Sequence, residues 1–131
     1  MAVMIPEIPN PFQVGSLEDV IFEALKGLPD SCMVFHSFRL TDVKDGVLNE
    51  SETDFIIFDR KRGILCMEAK AGAVSFRDGR WMYGNGMLMR SGGPFRQASA
   101  NKWKLMELIG NSRLGSLTEK IKFLHGVWFP S

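Results

Sequence analysis

Apolar residues concentrate in two runs, Asp54-Phe55-Ile56-Ile57-Phe58 and Ile64-Leu65-Cys66-Met67-Glu68-Ala69-Lys70, parted only by Arg60-Lys61-Arg62-Gly63. Runs apolar on both faces read as central strands of a covered sheet, and the short basic segment as a tight turn between them. Upstream, Leu17, Val20, Ile21, Ala24 and Leu25 follow helical spacing, with Ser16 as N-cap, Glu18 and Asp19 in the first turn, and Gly27 and Pro29 as the stop. Met33 to Phe38 predicts a first strand, and Thr41 to Ser51 a polar loop with a Lys44-Asp45-Gly46 turn. Beyond Lys70, Val74-Ser75-Phe76 and Trp81-Met82-Tyr83 flank Asp78-Gly79, a hairpin signal. A second helix is expected from Pro94 to Ile109, ending at Gly110-Asn111. Residues 111–120 read as turns and Val127-Trp128-Phe129 as a last strand. Residues 1–15, with Pro6, Pro9 and Pro11, read as an irregular lead-in. The order is helix, three strands, inserted hairpin, helix, strand. It predicts one α/β domain over residues 16–131, a mixed sheet flanked by helices.

Three ionisable residues stand out within this pattern. Charged side chains are expensive in a covered strand unless they bind a metal, pair, or lie at a strand's open end. Glu68 and Lys70, two apart, share a strand face, and the turn at 60–63 can bring Asp54 beside them. A Glu-x-Lys triplet alone says little, because charged residues are common. Two carboxylates and an ammonium at one point, however, suit metal-dependent phosphodiester hydrolysis. Asp54 and Glu68 are the expected metal ligands, with Mg²⁺ or Mn²⁺ as the cofactor, because carboxylate oxygens match such hard cations. Lys70 is expected to orient the attacking water or offset developing charge.

Composition narrows the class without deciding it. At 131 residues, 45% hydrophobic and 24% charged, the chain is an ordinary globular domain, and no apolar run approaches a membrane span. Cys32 and Cys66 are too few for a disulfide scaffold and are expected to be free thiols in a cytoplasmic setting. His36 and His125 lack ligand spacing, so no zinc site is expected. The net charge of +1 conceals an asymmetry. Between Arg60 and Lys104, ten Lys/Arg face only Glu68 and Asp78, a balance of +8, while the remainder carries −7. A basic middle around an acidic site suits a polyanion, and DNA is expected over RNA. Arg77, Arg80, Arg96, Asn101 and Lys104 are the expected nucleic-acid contacts.

Two further positions complete the expected site. Glu18 lies roughly 20° from Leu25 on a helical wheel, at the rim of the buried stripe, where it either reaches toward the site or merely stabilises the helix start. Gln97, Asn101 and Lys104 form a polar row at i, i+4, i+7 beside Ala98, Leu105 and Ile109. Gln97 could hold a phosphate, a base edge or a metal-bound water; an exposed polar face is the plainer reading.

The chain resembles a family through Leu17-Glu18-Asp19, Glu52-Thr53-Asp54-Phe55-Ile56-Ile57, Gly63-Ile64-Leu65-Cys66-Met67-Glu68-Ala69-Lys70, Gly79-Arg80-Trp81, Pro94-Phe95-Arg96-Gln97-Ala98 and Gly126-Val127-Trp128-Phe129-Pro130. Their order and spacing, over roughly residues 16–130, look like the nuclease-related domain (NERD), a branch of the restriction-endonuclease-like PD-(D/E)xK superfamily. The resemblance implies a helix–three-strand–helix–strand core, metal ligands at Asp54 and Glu68, a catalytic lysine at Lys70, and supporting roles for Glu18 and Gln97. Thr53 replaces the proline of the superfamily's name, and Gly93 stands where an asparagine is common. NERD-like domains are often fused to helicase, kinase or zinc-finger modules, so a helicase-type partner is expected by analogy. A homodimer is compatible with the sequence. A non-catalytic nucleic-acid-binding accessory module on the same fold is the alternative reading.

Overall fold

The computed structural model describes residues 1–9, 11–89 and 92–130, with Asp42 and Lys44 as backbone only. The strands are β1 (Val3–Ile5), β2 (Cys32–Lys44), β3 (Val47–Asp59), β4 (Gly63–Ala69), β5 (Val74–Arg77), β6 (Arg80–Tyr83) and β7 (Phe123–Trp128). The helices are α1 (Glu18–Lys26) and α2 (Pro94–Gly110), with a short 3-10 turn at Gly115–Glu119. β1-β2-β3-β4-β7 form a five-stranded sheet, and β5-β6 a separate ribbon. Pairings β2–β3 and β3–β4 are antiparallel, whereas β1–β2 and β4–β7 are parallel, so the sheet is mixed.

Each face of the sheet has its own core. α1 inserts Ile21, Phe22 and Leu25 against Val34, Phe55, Met67 and Ala69. On the opposite face, Leu105 of α2 meets Leu40, Ile56, Ile64 and Cys66. The 2.0-residue period of β4 thus sends Cys66 to one layer and Met67 to the other, as expected for a strand covered on both sides. Both cysteines are buried and free. β2 breaks its own alternation. Val34 packs in the α1 layer and His36 among that layer's aromatics, yet Phe38 and Leu40 pack in the α2 layer. Ser37, between them, has φ 53, and a residue in the left-handed region turns the following side chains to the other face.

Three expectations are corrected. Thr41–Ser51 is not a loop: β2 and β3 continue as a paired arm from Leu40↔Ser51 to Lys44↔Val47, closed by Asp45 and Gly46 at φ 52 and 76. That is the two-residue turn geometry matching strand twist, and the ladder's hydrogen bonds hold the arm where burial does not. The lead-in is not wholly irregular either, since Val3–Ile5 joins the sheet edge beside β2 and buries Met4. The other elements fall close to where the sequence places them, including the 60–62 turn, the Asp78-Gly79 hairpin and α2. Ser16, however, is not the N-cap of α1: Leu17 holds that position at φ 55 with no side-chain cap, and Ser16 Oγ accepts from the Glu18 N–H at 3.3 Å. The last strand begins four residues earlier than its apolar pattern suggests, at Phe123.

Gly63 is held by geometry. Its φ is 115, and a Cβ there would collide with the backbone carbonyl of Lys122 in the strand alongside. Gly63→Ala is therefore expected to lower stability by at least ~2 kcal/mol, combining positive-φ strain with overpacking against rigid backbone. Urea unfolding measures this, and an unchanged midpoint would contradict the close approach of β4 and β7.

Candidate active site

β3 and β4 pair from Asp59↔Gly63 to Phe55↔Met67 and then part. The next opposed residues in that register are Asp54 and Glu68. Beyond them β3 stays with β2, through Thr53↔Phe38 and Glu52↔Arg39. β4 stays with β7, its partner from Ile64↔Phe123 onward, through Glu68↔Val127 and Ala69↔Trp128. The acidic pair thus occupies the crotch of a fork in the sheet. A fork strands backbone donors, and one is satisfied locally: the Ala69 N–H donates to Asp54 Oδ2 at 2.9 Å. On its other side Asp54 lies across from Ser37, where the β2–β3 pairing skips a step.

Glu68 is 1% exposed. Following Ile64 and Cys66, it projects into the α2 layer, where the Asn101 amide donates to its Oε1 at 2.9 Å. Asn101 also reaches the Glu52 carbonyl on the other arm of the fork, at 3.4 Å. Burial, then the charge of Asp54 and a hydrogen bond with it, push the Glu68 carboxyl up to about 8; Asn101 and the Lys70 charge pull the other way. Asp54 is raised as well, chiefly by burial, with the Ala69 amide opposing. The two carboxyls therefore compete for one proton at neutral pH.

Lys70 lies one residue past β4, its backbone N–H bonded to the Trp128 carbonyl at 3.0 Å. Its charge favours the ionised form of both acids. Glu18 comes from α1, and its charge raises the Asp54 pKa, so it faces the same end of the sheet. Glu18 Oε2 is 3.2 Å from His36 Nε2, and Ser37 Oγ is also 3.2 Å from that nitrogen. His36 is buried among the rings of Phe12, Phe22 and Phe55. Gln97 is half-buried, one helical turn before Asn101 on the same side of α2. Fold and sheet end thus gather Asp54, Glu68, Lys70 and Glu18.

The basic positions separate. Arg77 and Arg80 face each other across the tip of the β5–β6 ribbon, and Arg96 is exposed in the first turns of α2. Lys104 lies further along α2, in a groove with Leu40, Thr41 and Glu107. Asn101 is not on an exposed row: it is 3% exposed and engaged with Glu68, because the α2 stripe facing the sheet is wider than its apolar residues suggest. Sequence reasoning missed both this hydrogen bond and the Glu18–His36 pairing. Their partners lie 33 and 18 residues apart, with no local signal.

Among the described residues, no three His, Cys, Asp or Glu side chains are grouped to hold a metal ion. Asp54, half-buried, and Glu68, buried, nevertheless form a pair of oxygen donors with no salt bridge to either among the described residues. Their donor set fits a hard divalent cation that completes its shell with water.

A family model of the nuclease-related domain matches residues 16–129. The chain belongs to the nuclease-related domain family. No curated protein and no solved structure matches it. The sheet with α1 and α2 is consistent with the restriction-endonuclease-like core expected of NERD, and the match runs from just before α1 to the end of β7. Among the described residues no helix is long and apolar enough to cross a membrane.

The electrostatics of this NERD site are testable without substrate. Because the folded-state pKa of Glu68, about 8, lies above its ordinary 4.5, the native domain binds that proton more tightly than the unfolded chain. The stability so contributed is complete below about pH 4.5 and is lost as pH rises toward 8. In EDTA, the melting temperature of the wild type should fall across that window, and Glu68→Gln should flatten the fall. Parallel curves would show that Glu68 titrates normally.

Proposed function

We propose that this domain is a Mg²⁺- or Mn²⁺-dependent nuclease that hydrolyses phosphodiester bonds in DNA. The observation that carries the reading is the Asp54–Glu68 couple at the fork, Glu68 buried and Asp54 half-buried, with no salt bridge to either among the described residues and Lys70 at the strand end. Such a couple is poorly stable by itself, since two carboxyls in a low-dielectric crotch cannot both ionise at little cost. A divalent cation would reverse that penalty, which is the arrangement expected of a metal site rather than of a packing core.

In this reading Asp54 and Glu68 hold the ion, and the ion supplies Lewis-acid polarisation of the phosphate and a more acidic water. The chain's own groups do the remaining work. The Ala69 N–H fixes one Asp54 oxygen, and Asn101 fixes one Glu68 oxygen, so each carboxyl keeps one oxygen outside those bonds, which a cation would hold in place of the hydrogen bond between the two acids. Lys70, unpaired among the described residues, is placed to bind the scissile phosphate or hold the attacking water, and to offset charge as it builds. Glu18, tethered by His36, and Gln97, one turn from Asn101, complete the site's rim. Arg77, Arg80, Arg96 and Lys104 supply cations to phosphates flanking the cleaved one.

The accessory-module reading keeps one observation in its favour, the lack of a third acidic or imidazole ligand beside the pair among the described residues. Cleavage decides between them. Plasmid and single-stranded DNA should be degraded with Mn²⁺ and not in EDTA. Lys70→Ala should lower the rate by at least ~100-fold with DNA binding retained. Asp54→Asn should abolish cleavage and also weaken Mn²⁺ binding measured by calorimetry. A folded wild type that binds DNA, cleaves neither substrate and is indifferent to Lys70→Ala would leave only the accessory module.

Salt dependence tests the basic positions separately. Neutralising Arg77, Arg80 and Arg96 should flatten the dependence of log affinity on log salt by roughly one unit for each phosphate no longer neutralised. An unchanged slope would assign these arginines to solvation alone.

A further inference from the structure

The β5–β6 ribbon carries an aromatic cluster that the fork does not use. Phe76 and Trp81 are cross-strand partners on one face of the ribbon. Trp81 docks the ribbon onto the body. Its ring lies over Gly93, where a Cβ would collide with it, and stacks on Phe129 at 6.0 Å and 16°. Phe76 and Phe95 flank that ring at 5.1 and 5.6 Å. The cluster is not closed over: Phe76 is 58% exposed and Phe95 44%. It also adjoins the fork, since Phe129 follows Trp128, whose carbonyl receives the Lys70 N–H.

The surrounding charge says what such a surface fits. Arg77 and Arg80 oppose each other across the ribbon tip, an unfavourable like-charge pair, and Arg96 follows Phe95 directly. None of the three is in a salt bridge among the described residues. An apolar protein partner would gain nothing from three unpaired cations beside its docking surface. Exposed π-faces bordered by guanidinium groups complement unstacked bases on a phosphate backbone. A duplex presents only base edges in its grooves and leaves such rings unused.

We propose that Phe76 and Phe95 form a stacking platform for unpaired nucleotides, so that the domain takes single-stranded DNA or single-stranded ends beside Lys70. Its placement next to a reacting phosphate rests on the nuclease reading; the stacking itself does not. Phosphates bound by Arg96 and the ribbon-tip arginines lead the strand past the aromatic faces toward the fork.

Fluorescence anisotropy in EDTA tests this, with labelled oligo(dT) and a blunt duplex of equal length as probes. Phe76→Ala and Phe95→Ala should each weaken oligo(dT) binding on the order of ten-fold. The duplex should lose less than about two-fold by the same reasoning, since it does not stack. Phe76→Tyr should restore oligo(dT) binding, which separates stacking from any loss of fold, and circular dichroism checks the fold directly. Equal losses on both probes, or no loss on oligo(dT), would overturn the platform. So would a wild type that binds neither probe but captures an apolar peptide surface through Phe76. Adding Mn²⁺ separates the two readings: cleavage unaffected by either Phe→Ala variant sinks the platform and leaves the nuclease. Phe-dependent oligo(dT) binding without cleavage keeps the platform and sinks the nuclease.

Discussion

Glu68 sits on an interior strand of the sheet at 1% exposure, and the local architecture is organised around making that tolerable. An ionised carboxylate there would lose its hydration with only one amide, Asn101, to replace it, while Asp54 repels it from the next strand. The compromise is a Glu68 carboxyl whose pKa is pushed up by burial and by Asp54, one amide bridge, and a lysine charge at the strand end. Asn101 does more than solvate the acid. By reaching both Glu68 on β4 and the Glu52 carbonyl on β3, it ties together two strands that have stopped hydrogen-bonding to each other.

The fork that creates this environment follows from how the middle strands are shared. β3 spends its far half with β2 in a long antiparallel arm, and β4 spends its end with β7 in parallel pairing. From Phe55 to Asp59 and from Ile64 to Met67 each of the two strands is paired on both edges; beyond that only the outer pairings, β2–β3 and β4–β7, continue, and the backbone between Asp54 and Glu68 opens. Ser37, in the left-handed region across from Asp54, adds a second irregularity at the same level of the sheet. Irregular backbone on both sides of one carboxyl, within an otherwise regular ladder, is characteristic of positions that serve chemistry rather than packing.

The ribbon shows a different economy. Two short strands cannot hold themselves, and this one is anchored by a single ring. Trp81 fills the space left by the missing side chain at Gly93 and stacks on Phe129, so one residue fixes the ribbon to α2 and β7 together. The glycine at position 93 is thus matched by a tryptophan that needs the room.

Much of the molecule was legible in the sequence because local physics decides it. Asp78-Gly79 dictates a hairpin and Asp45-Gly46 a turn, through their positive φ values, and Pro94 opens α2 without losing a needed donor. Asp54 and Glu68 announced themselves as charges inside strands too apolar to host them. The arm at Thr41–Ser51 lacked an apolar pattern, because its pairing is held by backbone hydrogen bonds, which carry no side-chain signature; Val3-Met4-Ile5 is an apolar run too short, and too close to Pro6, to declare itself a strand. The partners of the site were likewise hidden. Asn101 meets Glu68, and His36 meets Glu18, only because α2 and α1 pack on opposite faces of the sheet. Sequence periodicity says which side of a helix is buried, but the residue it is buried against is chosen by the tertiary register. The chain therefore named its own charged residues, and the fold alone decided which of them meet.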